Sequence, residues 1–120
     1  FDGERYAQVR LTNNSDGTGE AAVKKVDIST LAGAPTRVAV TRIQGATYGM
    51  GVKLLWDAAT DVMFKAIGQD SSFDEDYRTI GGIVQREPLP AGWVGDILLT
   101  TAGHTSGDAY DITLTLKKKN

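Results

Sequence analysis

Between residues 109 and 117 the chain alternates with a period of two. Tyr110, Ile112, Leu114 and Leu116 take turns with Asp111, Thr113, Thr115 and Lys117. In a helix, residues two apart lie about 200° around the axis, which would scatter these apolar groups. In a strand they share one face. The segment therefore reads as a strand with one oily and one wet side, and the oily side demands a second layer.

The same test picks out further strands. Over residues 5–12, Ala7, Val9 and Leu11 alternate with polar neighbours, and Arg5 and Arg10 suit an edge strand. Over 20–28, Val26 and Ile28 share a face while Val23 lies on the other, which predicts a bulge. Over 36–44, Val38 and Val40 point inward and Arg37, Ala39 and Thr41 outward, and Arg42-Ile43 breaks the phase, a second bulge signal. Residues 48–56 place Met50, Val52, Leu54 and Trp56 on one face, and 62–67 place Val62, Phe64 and Ala66 on one face. The short loop 57–61 between them predicts a hairpin. Leu55 faces away from Leu54, which predicts a strand covered on both sides, by a loop or by another subunit. Residues 77–84, interrupted at Gly81-Gly82, and residues 93–102 complete the set.

The connections carry turn chemistry. Residues 13–19 are a cluster of turn formers, and 29–35 are small residues with a helical turn expected around Thr30-Leu31-Ala32. Residues 68–76 read as a polar, acidic loop. Pro88 and Pro90 lack the N–H that a ladder needs, so 85–92 is a connection. No helix-period segment exceeds a turn or two, and no repeat or linker divides the chain. The expectation is one all-β domain over residues 1–120, an antiparallel β-sandwich of about eight strands. An eight-strand count also suits a jelly roll. The pairing order is not readable from the pattern.

Composition narrows the function classes. There are 13 basic and 15 acidic residues, for a net charge of −2. A general nucleic-acid binder would show a basic excess, so none is expected. The one basic run, Lys117-Lys118-Lys119, reads as a solvated tail. There is no cysteine, hence no disulfide or thiolate chemistry. No stretch approaches the ~18 apolar residues of a membrane span, and no signal-peptide core is visible. The chain begins at Phe1, which leaves open whether a segment precedes it.

Candidate chemistry is thin. His104 is the only histidine and stands in Gly103-His104-Thr105-Ser106-Gly107-Asp108. Neighbours in one tight loop cannot easily build a Ser-His-Asp relay, which draws its members from separate elements. A lone histidine without cysteine does not make a usual zinc site. Asp70, Asp74, Glu75 and Asp76 are the densest carboxylates. Their spacing lacks the pattern and central glycine of an EF-hand, so a solvated acidic loop is expected ahead of a calcium site. Asp57 and Asp61 flank a hairpin loop and read as turn caps. Asn13-Asn14-Ser15 matches a glycosylation acceptor but reads as a polar turn. Trp56 is in phase with the core; Trp93, at a strand start, reads as a cap on the core edge, with a sugar-stacking platform as the other reading. Gly49-Met50-Gly51 and Gly81-Gly82 match no phosphate-binding fingerprint. No catalytic residue, cofactor or metal ligand is expected, and the protein is not expected to be an enzyme.

Two stretches carry a resemblance. Residues 51–61, G-V-K-L-L-W-D-A-A-T-D, and residues 95–108, G-D-I-L-L-T-T-A-G-H-T-S-G-D, resemble small structural proteins of tailed bacteriophages from aquatic environments. Val26-Asp27-Ile28-Ser29 before a small loop fits the same pattern. The resemblance implies a virion component at the capsid surface, a decoration or cement protein. Its partners would be the major capsid protein or other virion proteins, and it would act as a homo-oligomer. Residues 1–6 or 117–120 would serve as arms. The alternatives are a carbohydrate-binding or host-recognition module using Trp93, and a tail or neck component.

Overall fold

The computed structural model describes residues 2–14, 19–85, 89–103 and 107–119. They form eight strands: β1 (Tyr6–Asn14), β2 (Val23–Val26), β3 (Arg37–Tyr48), β4 (Gly51–Trp56), β5 (Val62–Ile67), β6 (Ser72–Asp76), β7 (Ile97–Ala102) and β8 (Ala109–Lys119). Single 3₁₀ turns occupy Ile28–Thr30 and Arg78–Ile80.

The strands make two four-stranded sheets, ordered β1-β8-β3-β6 and β2-β7-β4-β5. All pairs are antiparallel, and β1 lies beside β8, β2 beside β7, β3 beside β6, and β4 beside β5. That nesting is one long hairpin rolled over on itself, with the extra pairs β3-β8 and β4-β7 closing the sheets. The fold is a β-sandwich with the strand order of a jelly roll.

The core lies between the sheets. Ile43, Ile112, Leu114 and Leu116 from one and Leu54, Ile97, Leu99 and Trp56 from the other are almost fully buried. Each such side chain contributes roughly 1.5–3 kcal/mol by leaving water. Trp56 stacks on Phe64 with ring centroids 4.3 Å apart.

Charged clusters bridge the two open sides. On one, Glu20 pairs with Lys25 and accepts from Asn13 Nδ2 (2.9 Å) and the Tyr110 hydroxyl (2.5 Å). Asn13 and Tyr110 belong to the first sheet and Lys25 lies in β2, so Glu20 joins the layers. On the other side, Lys65 of β5 pairs with Glu75 of β6, which also accepts from the Tyr77 hydroxyl at 2.9 Å.

Several expectations hold. β1 is an edge strand, register shifts occur between Lys24 and Val26 and between Val40 and Arg42, and β4-β5 is a hairpin. Others need correction. The acidic stretch is not a loop through 76: Ser72–Asp76 is strand β6, paired with β3. Conversely, residues 77–84 form no strand; the 3₁₀ turn is followed by a single bridge between Val40 and Ile83. That segment covers Ala39 and Thr41, so both are buried on the side expected to face solvent. Gly82 is pressed against them; a Cβ there would lie 3.1 Å from the Ala39 methyl.

β3 also runs on to Tyr48 through Gly45. At Gly45, φ is +147° and a Cβ would fall 2.0 Å from the Asp111 carbonyl oxygen. Only glycine lets β8 cross so closely there. In β5 a register shift opposite Leu54 and Leu55 changes the phase, so Ile67 rather than Ala66 is buried. The helical turn sits at 28–30, earlier than expected. The lysine run is part of β8, and Lys118 is no solvated tail: its side chain is 6 % exposed. Its Nζ bonds to Asp2 Oδ1 and the carbonyls of Gly3 and Ala32, and Asp2 in turn accepts from the Ala32 amide. Residues 2–6 are thus tied to the body rather than extended as an arm.

Candidate functional site

Two regions outside the core present organised side chains. The first is a cleft at the end of the sandwich where β2 and the loop before β7 meet the 27–36 connection. Its volume is about 480 Å³, and it is lined by Lys24, Asp27, Ile28, Pro35, Trp93 and Asp96, among others. Asp96 directly precedes β7 and is 2 % exposed. A buried carboxylate needs partners, and Asp96 has them: Lys24 Nζ at 2.8 Å and the Ile28 amide at 2.9 Å. The bond to Asp96 and its charge raise the Lys24 pKa.

Asp27 caps the 3₁₀ turn, its Oδ1 accepting from the Ser29 amide (3.0 Å) and hydroxyl (2.6 Å). The Ser29 hydroxyl bond comes first in holding the Asp27 carboxyl below its usual range. Trp93 leans on Trp56, centroids 6.0 Å apart. Its Nε1 is buried with no hydrogen-bond partner among the described residues, a cost of about 1–3 kcal/mol. The indole therefore turns its N–H into the protein and offers the cleft hydrocarbon.

The second region is the outer face of β2-β7-β4-β5. Leu55 is cross-strand neighbour to Leu98 on one side and Met63 on the other. Leu98 is buried yet takes no part in the inter-sheet core. Met63 is 53 % exposed, and Val94 beside this sheet 48 %. Lys24 pairs with Leu98 across β2, and Lys53 stands in the next row with Thr100 and Ala66. The expected two-sided character of β4 is therefore present in the residues, and among the described residues no strand is laid over its outer row.

The sequence-level candidates are dispersed. His104, Thr105 and Ser106 lie outside the described residues, as do Ser15 and Pro88. Asp70 accepts from the Gly49 amide at 2.8 Å. Asp74 makes a two-bond pair with Arg42 (2.9 and 2.7 Å), and Asp76 with Arg78. The Arg78 side chain, then its amide, brings the Asp76 pKa down to about 2. Glu75 points the other way, to Lys65 and Tyr77. Strand alternation thus splits the acidic run between two faces, each carboxylate with its own cation. Among the described residues no three metal-type side chains converge. Asp61 Oδ1 accepts from the Ala58 amide at 3.3 Å, as a turn cap does, while the Asp57 backbone anchors residues 94–96. Asn13 gives its amide to Glu20. Trp56 is core, as expected.

The Lys24–Asp96 pair, around which the cleft is built, was not anticipated. Both residues are unremarkable in sequence, and only the β2-β7 ladder brings them together.

No protein-family model matches this chain, and neither a curated protein nor a solved structure matches it. Among the described residues, no helix is long and apolar enough to cross a membrane.

Proposed function

We propose that the protein is a virion structural component of a tailed bacteriophage, a decoration protein that binds the outer capsid surface and cements the shell. The observation that carries this reading is the apolar row Leu98–Leu55–Met63 on the outer face of a sheet. Within that row Met63 is 53 % exposed beside the half-buried Leu55, while Leu98 is already covered; apolar surface left open on a small domain supports an interaction site. The two phage-like stretches supply its centre: residues 51–61 contain β4 and residues 95–108 contain β7, and these strands are neighbours. Jelly rolls recur in viral capsid and lectin domains, although a fold alone does not assign a function. On this reading the row seats on the major capsid protein or another virion protein. Many symmetric copies make modest contacts sufficient by avidity.

Purified protein mixed with empty phage heads tests the idea. Co-sedimentation with heads that is lost in Met63→Glu supports it. Absence from purified virions together with no head binding ends it, and binding to tails alone moves the protein to the tail or neck.

A further inference from the structure

We propose that the cleft between Trp93 and the Lys24–Asp27–Asp96 group binds a neutral sugar ring. The proposal is independent of the capsid reading and rests on what the cleft walls can offer.

One wall is apolar. Trp93, Ile28 and Pro35 line it, and the Trp93 N–H is turned away. A Cβ on Gly95 would lie 3.0 Å from Nε1 and 3.2 Å from Ile28 Cδ1, so close packing fixes the ring. The electron-rich face of an indole attracts positively polarised C–H edges, and one face of a pyranose consists of C–H groups.

The other wall is polar and has unused capacity. Asp27 receives both Ser29 bonds on Oδ1, so Oδ2 remains an acceptor. Lys24 Nζ bonds to Asp96 and, with three N–H groups, keeps two. Its side chain is 47 % exposed, so those donors reach solvent. A free carboxylate oxygen near an ammonium matches a pair of neighbouring hydroxyls, because each hydroxyl both donates and accepts.

The charges select against other ligands. An anion would meet the carboxylates of Asp27 and Asp96, and a cation would meet Lys24. The volume, about 480 Å³, lies within the range of small-molecule sites, ~300–1,000 Å³. The cleft is at the end of the sandwich, clear of Met63, so a glycan and a capsid contact are separable by mutation.

The test is a ¹H–¹⁵N NMR titration of the whole chain with methyl glycosides of glucose, mannose, galactose and N-acetylglucosamine. Each is raised to about 50 mM, where a millimolar site is filled. The Trp93 indole signal reports on the cleft, and that of buried Trp56 is the internal control. The expected result is a saturable shift of Trp93 with at least one glycoside, with Trp56 nearly still. Asp27→Asn keeps the oxygen that caps Ser29 but removes the charge, and should weaken binding about tenfold. Trp93→Phe should weaken it too, with Asp27→Asn covering the case in which the ring change disturbs folding. Met63→Glu should leave sugar binding intact. No shift with any glycoside overturns the proposal. So does equal movement of both indoles, or a shift that Asp27→Asn leaves unchanged.

Discussion

The outer faces of the two sheets are built on opposite principles. On β1-β8-β3-β6 the outward residues satisfy one another. Arg10 makes two bonds to Asp111 (3.0 and 2.6 Å), Arg42 two to Asp74, and Gln8 reaches Thr115. On β2-β7-β4-β5 the outward centre is Leu98, Leu55 and Met63, and among the described residues Lys53 has no ion-pair partner. The same alternating strand grammar yields one face made for water and one that gains by being covered. The difference teaches that one strand pattern can leave the two outer faces with unlike surfaces, and the proposed capsid contact draws on the second.

The largest expected effect probes what holds the watery face together. Gly45→Ala should destabilise by more than about 3 kcal/mol, because the new methyl meets the β8 backbone and the glycine's φ is disfavoured for alanine. Denaturant unfolding measures it; a change under 1 kcal/mol would mean that β3 and β8 do not approach as described. Next, Met63→Glu should lower head binding at least tenfold while stability stays within about 0.5 kcal/mol. Intact head binding would remove the oily face from the comparison.

A smaller effect concerns Glu20, which serves neither outer face. Burial works to raise its pKa, but bonds from Lys25, Tyr110 and Asn13 outweigh that and hold it below 4.5. A depressed carboxylate stabilises above its unfolded value and loses that contribution as pH falls through the folded one. Thermal melts should therefore show wild type losing more stability than Glu20→Gln as pH drops below 4.5. Parallel pH curves would show that the bridge between the sheets carries no such linkage. The smallest effect is Arg10→Gln, expected to change neither melting nor head binding, since exposed ion pairs contribute little. A marked loss of head binding would make the polar face the interface.

How much of this was legible follows from what a single strand can disclose. β8 announces itself because every second residue is apolar. β6 does not: in Ser72–Asp76 the outward charges look like loop residues until Arg42 on β3 is seen to pair with Asp74. Residues 77–84 erred the other way: they read as a strand interrupted at Gly81-Gly82, while the backbone coils at 78–80 and turns at Gly81. The expected strand stopped at residue 44, because a glycine's use in close strand crossing at Gly45 depends on what lies opposite. The cleft was only half visible. Trp93 stood out as an aromatic, but Lys24 and Asp96 acquire meaning only through the ladder between β2 and β7.

The nested pairing also fixes the order of events when the chain first collapses. β4 and β5 need close only the short loop 57–61, so they can meet early. β1 and β8 unite residues as distant as Arg10 and Asp111, 101 positions apart, and loop entropy delays them. Such long-range topology sets refolding in roughly the millisecond-to-second range. Pulse-labelled amides should become protected in β4 and β5 first and in β1 last, the roll closing from its centre toward its rim.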